Sequence, residues 1–241
     1  MKKATLLSIF TILVLIPATL YLGTRMTGRW YYLTCTLIII ELMLPFFLSF
    51  EARKPQAREL VTLAVMAALA VAGRVAIPVP SFKAITGIIM ITGVAFGPHA
   101  GFMTGAIAAF ASNFFYSQGP WTPWQMMAYG AGGFLAGMVF YKRNYKIRRR
   151  PLRFTILLAV FGFVGIVVFV GPLLDCCTIF TTGSAVTPGF ALTILASGLG
   201  HNVTHGLGCA ATILLFSRPL LDKLERLKTK YGMMEASSDG V

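Results

Sequence analysis

The chain has 241 residues, 56% of them hydrophobic and only 12% charged, with a mean hydropathy of +0.76. Soluble domains run at about 45–50% apolar and about 25% charged residues, so the composition excludes a free soluble enzyme and points to a polytopic membrane protein. The net charge of +13 is not a nucleic-acid signature, because the basic residues sit between hydrophobic runs, where membrane topology puts them.

Apolar runs between breakers predict eight spans, near 4–22, 31–50, 57–77, 84–97, 99–117, 123–141, 153–173 and 189–217. The first follows Lys2 and Lys3 and continues to Leu22 without a small-residue cleavage site, so it reads as a span rather than a signal. The first two are rich in Leu, Ile and Thr, with Glu41 their one acidic residue. In the third, Ala64, Ala68 and Ala72 recur every four residues and form a smooth stripe. Such a stripe lets a second helix lie backbone-close, either inside the bundle or as a docking face for another membrane subunit.

The run 84–97 is short for a crossing, and Gly97-Pro98 joins it so tightly to the next that the two must pack antiparallel. Short or Gly/Pro-interrupted spans in transporters border binding cavities. The last span is long and glycine-rich, a pattern of close packing, and holds His201, Asn202 and His205 on one face with Gly198. Groups this deep face the bundle interior or a cavity, so interhelical hydrogen bonding and ligand contact both remain open. No third ligand accompanies the two histidines, so no metal site is expected.

Lys/Arg asymmetry sets the orientation. One side collects Lys2, Lys3, Arg53, Lys54, Arg58, the run from Lys142 to Arg153, and Arg218, Lys223, Arg226, Lys228 and Lys230. The other has little beyond Arg25, Arg29, Arg74 and Lys83. Both termini are therefore expected in the cytoplasm. The chemistry also changes along the chain: from Leu60 onward Ala, Gly and intraspan polar residues dominate. This divides the chain into an accessory hairpin at 1–56, a six-helix core at 57–217 and a basic cytoplasmic tail at 218–241.

At the non-cytoplasmic mouth, Ser117-Gln118-Gly119-Pro120-Trp121-Thr122-Pro123-Trp124-Gln125 forms a Pro-stiffened loop. Its tryptophans either anchor helix ends at the interface or join Asn113, Tyr116, Gln118 and Gln125 in a small-molecule pocket. Across the mouth, Arg74 closes one span, and Phe82 and Lys83 precede the next. A cation at a span end either snorkels or meets a ligand. Phosphate loops, serine elbows and His-Glu-x-x-His are missing, and the core's acidic residues are Glu59 and Asp175, both near span ends. Without an intraspan carboxylate relay or an ATPase, transport by this chain takes its energy from a partner.

Gly73-Arg74, Phe82-Lys83, the glycine-rich helices around Gly97-Pro98, Asn113-Phe114-Phe115 and the run from Gln118 to Met126 resemble an energy-coupling factor (ECF) transporter substrate-binding S component, with the cobalamin-type members most similar. The resemblance spans about 57–217. It implies an all-α, multi-pass subunit of a bacterial cell membrane that captures a vitamin, a corrinoid above all, from outside. It implies, as partners, a transmembrane coupling subunit and two cytoplasmic ATPases, with delivery by toppling in the bilayer. The family's Ala-x-x-x-Ala docking motif falls on Ala64 and Ala68, extended by Ala72. No cofactor is implied. The two N-terminal spans depart from the six-helix pattern. A stand-alone secondary transporter is the main competing reading, followed by a membrane enzyme acting on lipid or isoprenoid with His201 and His205 in proton transfer.

Overall fold

The computed structural model describes residues 7, 10–24, 29–77, 79–141, 151–182 and 186–233. Lys2, Lys3, Arg25, Pro78, the basic run 142–150 and the chain end from 234 lie outside the described residues. Helix α1 joins a π-helical turn, Thr11–Leu15, to Ile16–Thr24; α2 is Arg29–Ala52, α3 Ala57–Val75, α4 Ile85–Phe96, α5 Pro98–Tyr116 and α6 Thr122–Phe140. Helix α7 runs from Pro151–Gly165 through a π-helical stretch, Ile166–Val170, into Gly171–Thr181, and α8 is Pro188–Tyr231. No strand occurs among the described residues.

The short run forms the centre of the molecule. Every residue of α4 is buried, and α3, α5, α6, α7 and α8 pack around it. A helix that is apolar all round belongs inside a bundle. Its 12 residues rise only about 18 Å, well short of a bilayer core of about 30 Å, so both of its ends lie within the protein. Gly97, at φ +92°, closes α4 and opens α5 in one step, which gives the expected antiparallel pair. Helices α5 and α6 then approach backbone to backbone. A Cβ on Gly133 would stand 2.7 Å from the Gly101 carbonyl carbon, and one on Gly105 2.6 Å from the Tyr129 carbonyl carbon.

The last helix passes residue 217 without a break and carries Pro219 inside it. Leu221, Leu224 and Met233 are buried against the core, so the first part of the basic tail is packed helix.

The outer surface is apolar. Phe114, Phe115, Leu157, Val168, Leu192 and Leu215 are each about two-thirds exposed. The helical segments Leu33–Ala52 and Leu152–Thr181 are long and apolar enough to cross a membrane.

Helix α2 seats the accessory hairpin on α5, α6 and α7. Phe46 stacks on Phe102 with centroids 4.1 Å apart and meets Phe134 edge-on at 5.1 Å, while Ile39 packs with Trp124 and Cys177. Helix α1 is joined to α2 by a hydrogen bond from Thr19 Oγ1 to Glu41 Oε1 at 2.7 Å. The hairpin leaves the alanine stripe uncovered. Ala64, Ala68 and Ala72 are exposed beside Val61 and Val65, each more than 60% exposed, so the stripe does not serve packing within the bundle.

Candidate functional site

Helices α3, α5, α6 and α8 and the segment Ser81 to Lys83 converge where α4 begins. Arg74 lies in the last turn of α3, where the helix dipole favours a cation. It is only 8% exposed. Its Nη1 donates to Ser112 Oγ and to Asn113 Oδ1, the latter at 3.0 Å, both on α5. The guanidinium carbon stands 4.8 Å from the Tyr116 ring centroid and 5.9 Å from that of Tyr129. Tyr116 in turn donates its hydroxyl to the Arg74 carbonyl at 3.0 Å. Arg74 thus turns inward and does not snorkel.

Lys83 Nζ lies 5.4 Å from the same Tyr116 ring. The Phe82–Lys83 backbone rests on α8 at Gly208, where a Cβ would come within 2.7 Å of Lys83 N. Among the described residues no carboxylate lies within ion-pair distance of Arg74 or Lys83.

A hydrogen-bonded chain leads from Arg74 into the Pro-stiffened loop. Asn113, fully buried, donates Nδ2 to Thr122 Oγ1 at 3.1 Å. Thr122 donates to Gln118 Oε1 at 2.9 Å and accepts from Gly119 N at 3.2 Å. Gln118 Nε2 donates to Phe110 O at 3.0 Å. Helix α5 stops at Ser117, whose φ of 78° is left-handed. Both ends of the Asn113 and Gln118 amides are therefore engaged in holding α3, α5 and the loop together.

The tryptophans separate. Trp121 is 41% exposed and folds over Gly119, whose Cβ would meet the indole at 2.5 Å. Trp124 is buried, stacks on Phe180 of α7 at 5.9 Å and touches Ile39 of α2, so it faces away from Arg74. Among the described residues its Nε1 has no hydrogen-bond partner, and neither does the buried Gln125 Oε1. Gln125 and Tyr129, one turn apart, share a face of α6.

Helix α8 divides its polar residues among the segment before α4, α4 itself and α7. His201 Nδ1 pairs with Ser81 Oγ at 2.8 Å, and His205 Nε2 with Thr86 Oγ1 of α4 at 3.1 Å. The His205 ring meets Tyr129 edge-on at 5.9 Å. Asn202 points to α7, donating Nδ2 to Asp175 Oδ2 at 2.8 Å and packing on Gly171. The expected common face of His201, Asn202 and His205 is thus corrected: successive helical residues are about 100° apart, so Asn202 meets a different helix. Among the described residues no cluster of metal-ligating side chains occurs.

Sequence reasoning missed Ser112, Thr86 and Tyr129. Tyr129 carried a signal, its four-residue spacing from Gln125; the other two are short hydroxyl residues within apolar helices and carry none.

The profile of one protein family, described as ECF-type riboflavin transporter, S component, matches residues 54–220. That stretch runs from the turn before α3 to the inner part of α8. No curated protein and no solved structure matches the chain.

Proposed function

The chain belongs to the family of ECF-type riboflavin transporter S components, and from that premise we propose that it captures a vitamin at the Arg74 end of the bundle and delivers it inward. S components are substrate-binding membrane subunits, not enzymes, and work with a coupling subunit and ATPases. The observation that carries the reading is the extent of the match: 54–220 takes in α3 to α6, α7 and the polar end they share with α8. Riboflavin, which the family's description names, is the first ligand to test. The corrinoid reading rests on the sequence resemblance alone, and the matched family gives it no support.

The orientation follows from charge. Arg53 and Lys228 reach the Gly97 end of α4, and together with Lys54, Arg58, Arg153 and the other basic residues from Arg218 to Lys230 they support a cytoplasmic Gly97 end and an outer Arg74 end. The exposed alanine stripe is the face for the coupling subunit, and the hairpin, seated on α5 to α7, does not obstruct it. Docking there drives toppling and inward release.

A thermal-shift panel of the detergent-purified protein against riboflavin, cobalamin, cobinamide and thiamine tests capture. A ligand that binds only the folded state stabilises it by about 2.7 kcal/mol at one hundred times its dissociation constant. A riboflavin shift is expected; a shift with corrinoids alone replaces the ligand, and no shift with any vitamin in folded protein removes the reading. Ala68→Trp is expected to abolish vitamin uptake and coupling-subunit association while leaving the ligand shift intact. A folded Ala68→Trp protein that has lost ligand binding sinks the docking assignment.

A further inference from the structure

Arg74 and Lys83 place two cations on one aromatic ring, 4.8 and 5.4 Å from the Tyr116 centroid, without a carboxylate partner among the described residues. Two like charges gathered at one ring do not compensate each other, and an ionised group inside a membrane protein ordinarily finds a counter-charge or marks a ligand path. Arg74 is buried and its named partners are neutral: a serine hydroxyl, a carboxamide and two tyrosine rings. The negative end of α3 gives partial compensation, but the Arg74 carbonyl already accepts from Tyr116. Asp175, the one acid of the core near this end, is bound across the α7–α8 seam by Asn202. His201 and His205 face the site from α8 and add no negative charge. Lys83 is only half-buried, in contrast to the buried Arg74.

Building on the capture reading, we infer that the ligand brings the missing charge: an acidic phosphate or carboxylate group that seats between Arg74 and Lys83, against the Tyr116 ring. The site thus selects the acid-bearing form of a vitamin over its neutral form. Lys83, carried on the loop beside α8, is the more accessible of the pair and sets this preference; Arg74, clamped by α5, fixes where the acid sits.

Riboflavin and riboflavin 5′-phosphate share a ring system and differ by one phosphate monoester, which makes them the first probe pair. Inorganic pyrophosphate against sodium chloride of equal ionic strength is the second, and it needs neither a variant nor a known vitamin. Full-length protein in phosphatidylcholine nanodiscs is expected to bind the phosphate ester about tenfold tighter than riboflavin, the scale of one charge-assisted contact. Pyrophosphate is expected to raise the unfolding temperature above the chloride control. Both effects are expected to vanish in Lys83→Gln and to return in Lys83→Arg. Equal or reversed flavin affinities together with no pyrophosphate-specific shift overturn the inference, as does a pyrophosphate shift that survives Lys83→Gln. A shift that disappears when the discs contain phosphatidylglycerol assigns the site to lipid headgroups and also overturns it. A Lys83-dependent pyrophosphate shift without any vitamin binding keeps the anion site and removes the capture reading. Vitamin binding with equal flavin affinities and no pyrophosphate shift does the reverse.

Discussion

The two ends of α4 treat the same chemistry in opposite ways. At the Gly97 end, Arg53 reaches Phe96 O at 3.4 Å and pairs with Glu59, while Lys228 donates to Ala95 O at 2.8 Å and lies 3.3 Å from Glu225. The last carbonyls of a helix lack intrahelical partners and attract cations, so here the chain itself completes both the helix end and the ion pairs. Leu221, Leu224 and Met233 add apolar cover. At the Lys83 end, Arg74 is given one carboxamide, one hydroxyl and aromatic faces and Lys83 an aromatic face, with no acid on either among the described residues. One end is closed by the protein's own groups; the other is the end proposed to bind ligand. The wholly buried α4 lies between them, so under the proposed function one end holds the bundle while the other meets ligand.

Substitutions at the closed end should therefore cost stability and leave binding alone. Glu59→Ala is expected to have the largest effect, a loss of about 2 kcal/mol. The Glu59 side chain is 5% exposed and that of Arg53 26%. The value lies between the under 1 kcal/mol of surface pairs and the about 3–5 kcal/mol of removing one member of a fully buried pair. Unfolding in detergent measures it, and riboflavin affinity in the folded fraction should not change. An affinity that falls with stability would erase the distinction between the two ends.

Asn113→Ala probes the open end and should move both quantities. It removes one of two named acceptors from Arg74 Nη1 and the donor to Thr122. A loss of about 1.5 kcal/mol in stability is expected, typical of buried hydrogen-bonding groups left unmatched. Riboflavin binding should weaken about fivefold or more, because the guanidinium is no longer fixed. Full affinity in Asn113→Ala would detach the Arg74 network from the ligand.

Much of this was legible in the sequence, and the reasons are local. Apolar runs between Gly, Pro and charge located α2 to α8, since helix ends follow from breakers and caps. The Gly97-Pro98 link forced an antiparallel pair, and the four-residue alanine period gave the stripe. Whether that stripe faced in or out was not legible, because exposure depends on where α2 docks, a long-range contact. The central place of α4 was hidden for the same kind of reason: a short apolar run looks alike whether it edges a cavity or fills the core. At the site, residue types were readable but directions were not. Trp124 and Gln125 are neighbours in sequence, yet one stacks on Phe180 and the other shares the face of Tyr129. Asn113 and Gln118 looked like ligand-binding amides, whereas both hold the loop through their own hydrogen bonds.

The smallest effect sharpens the contrast most. Lys228 has a side chain 14% exposed and spans from the C-terminal part of α8 to the end of α4. Lys228→Met keeps the apolar stem and removes the charge, so it loses the bond to Ala95 O and a weak pair with Glu225, whose side chain is 56% exposed. The exposed pair contributes little, and the released carbonyl lies at a helix end, so the expected loss is about 1 kcal/mol. Riboflavin affinity should match that of the unmodified protein, read by titration at a temperature where both are folded. The site begins at the other end of α4, about 18 Å away by the helical rise of its 12 residues. A local packing change does not carry over that distance unless α4 itself shifts between two positions. Unchanged affinity makes the Gly97 end a fixed base for the open end, whereas altered affinity makes α4 a lever that links the proposed vitamin site to the Gly97 end.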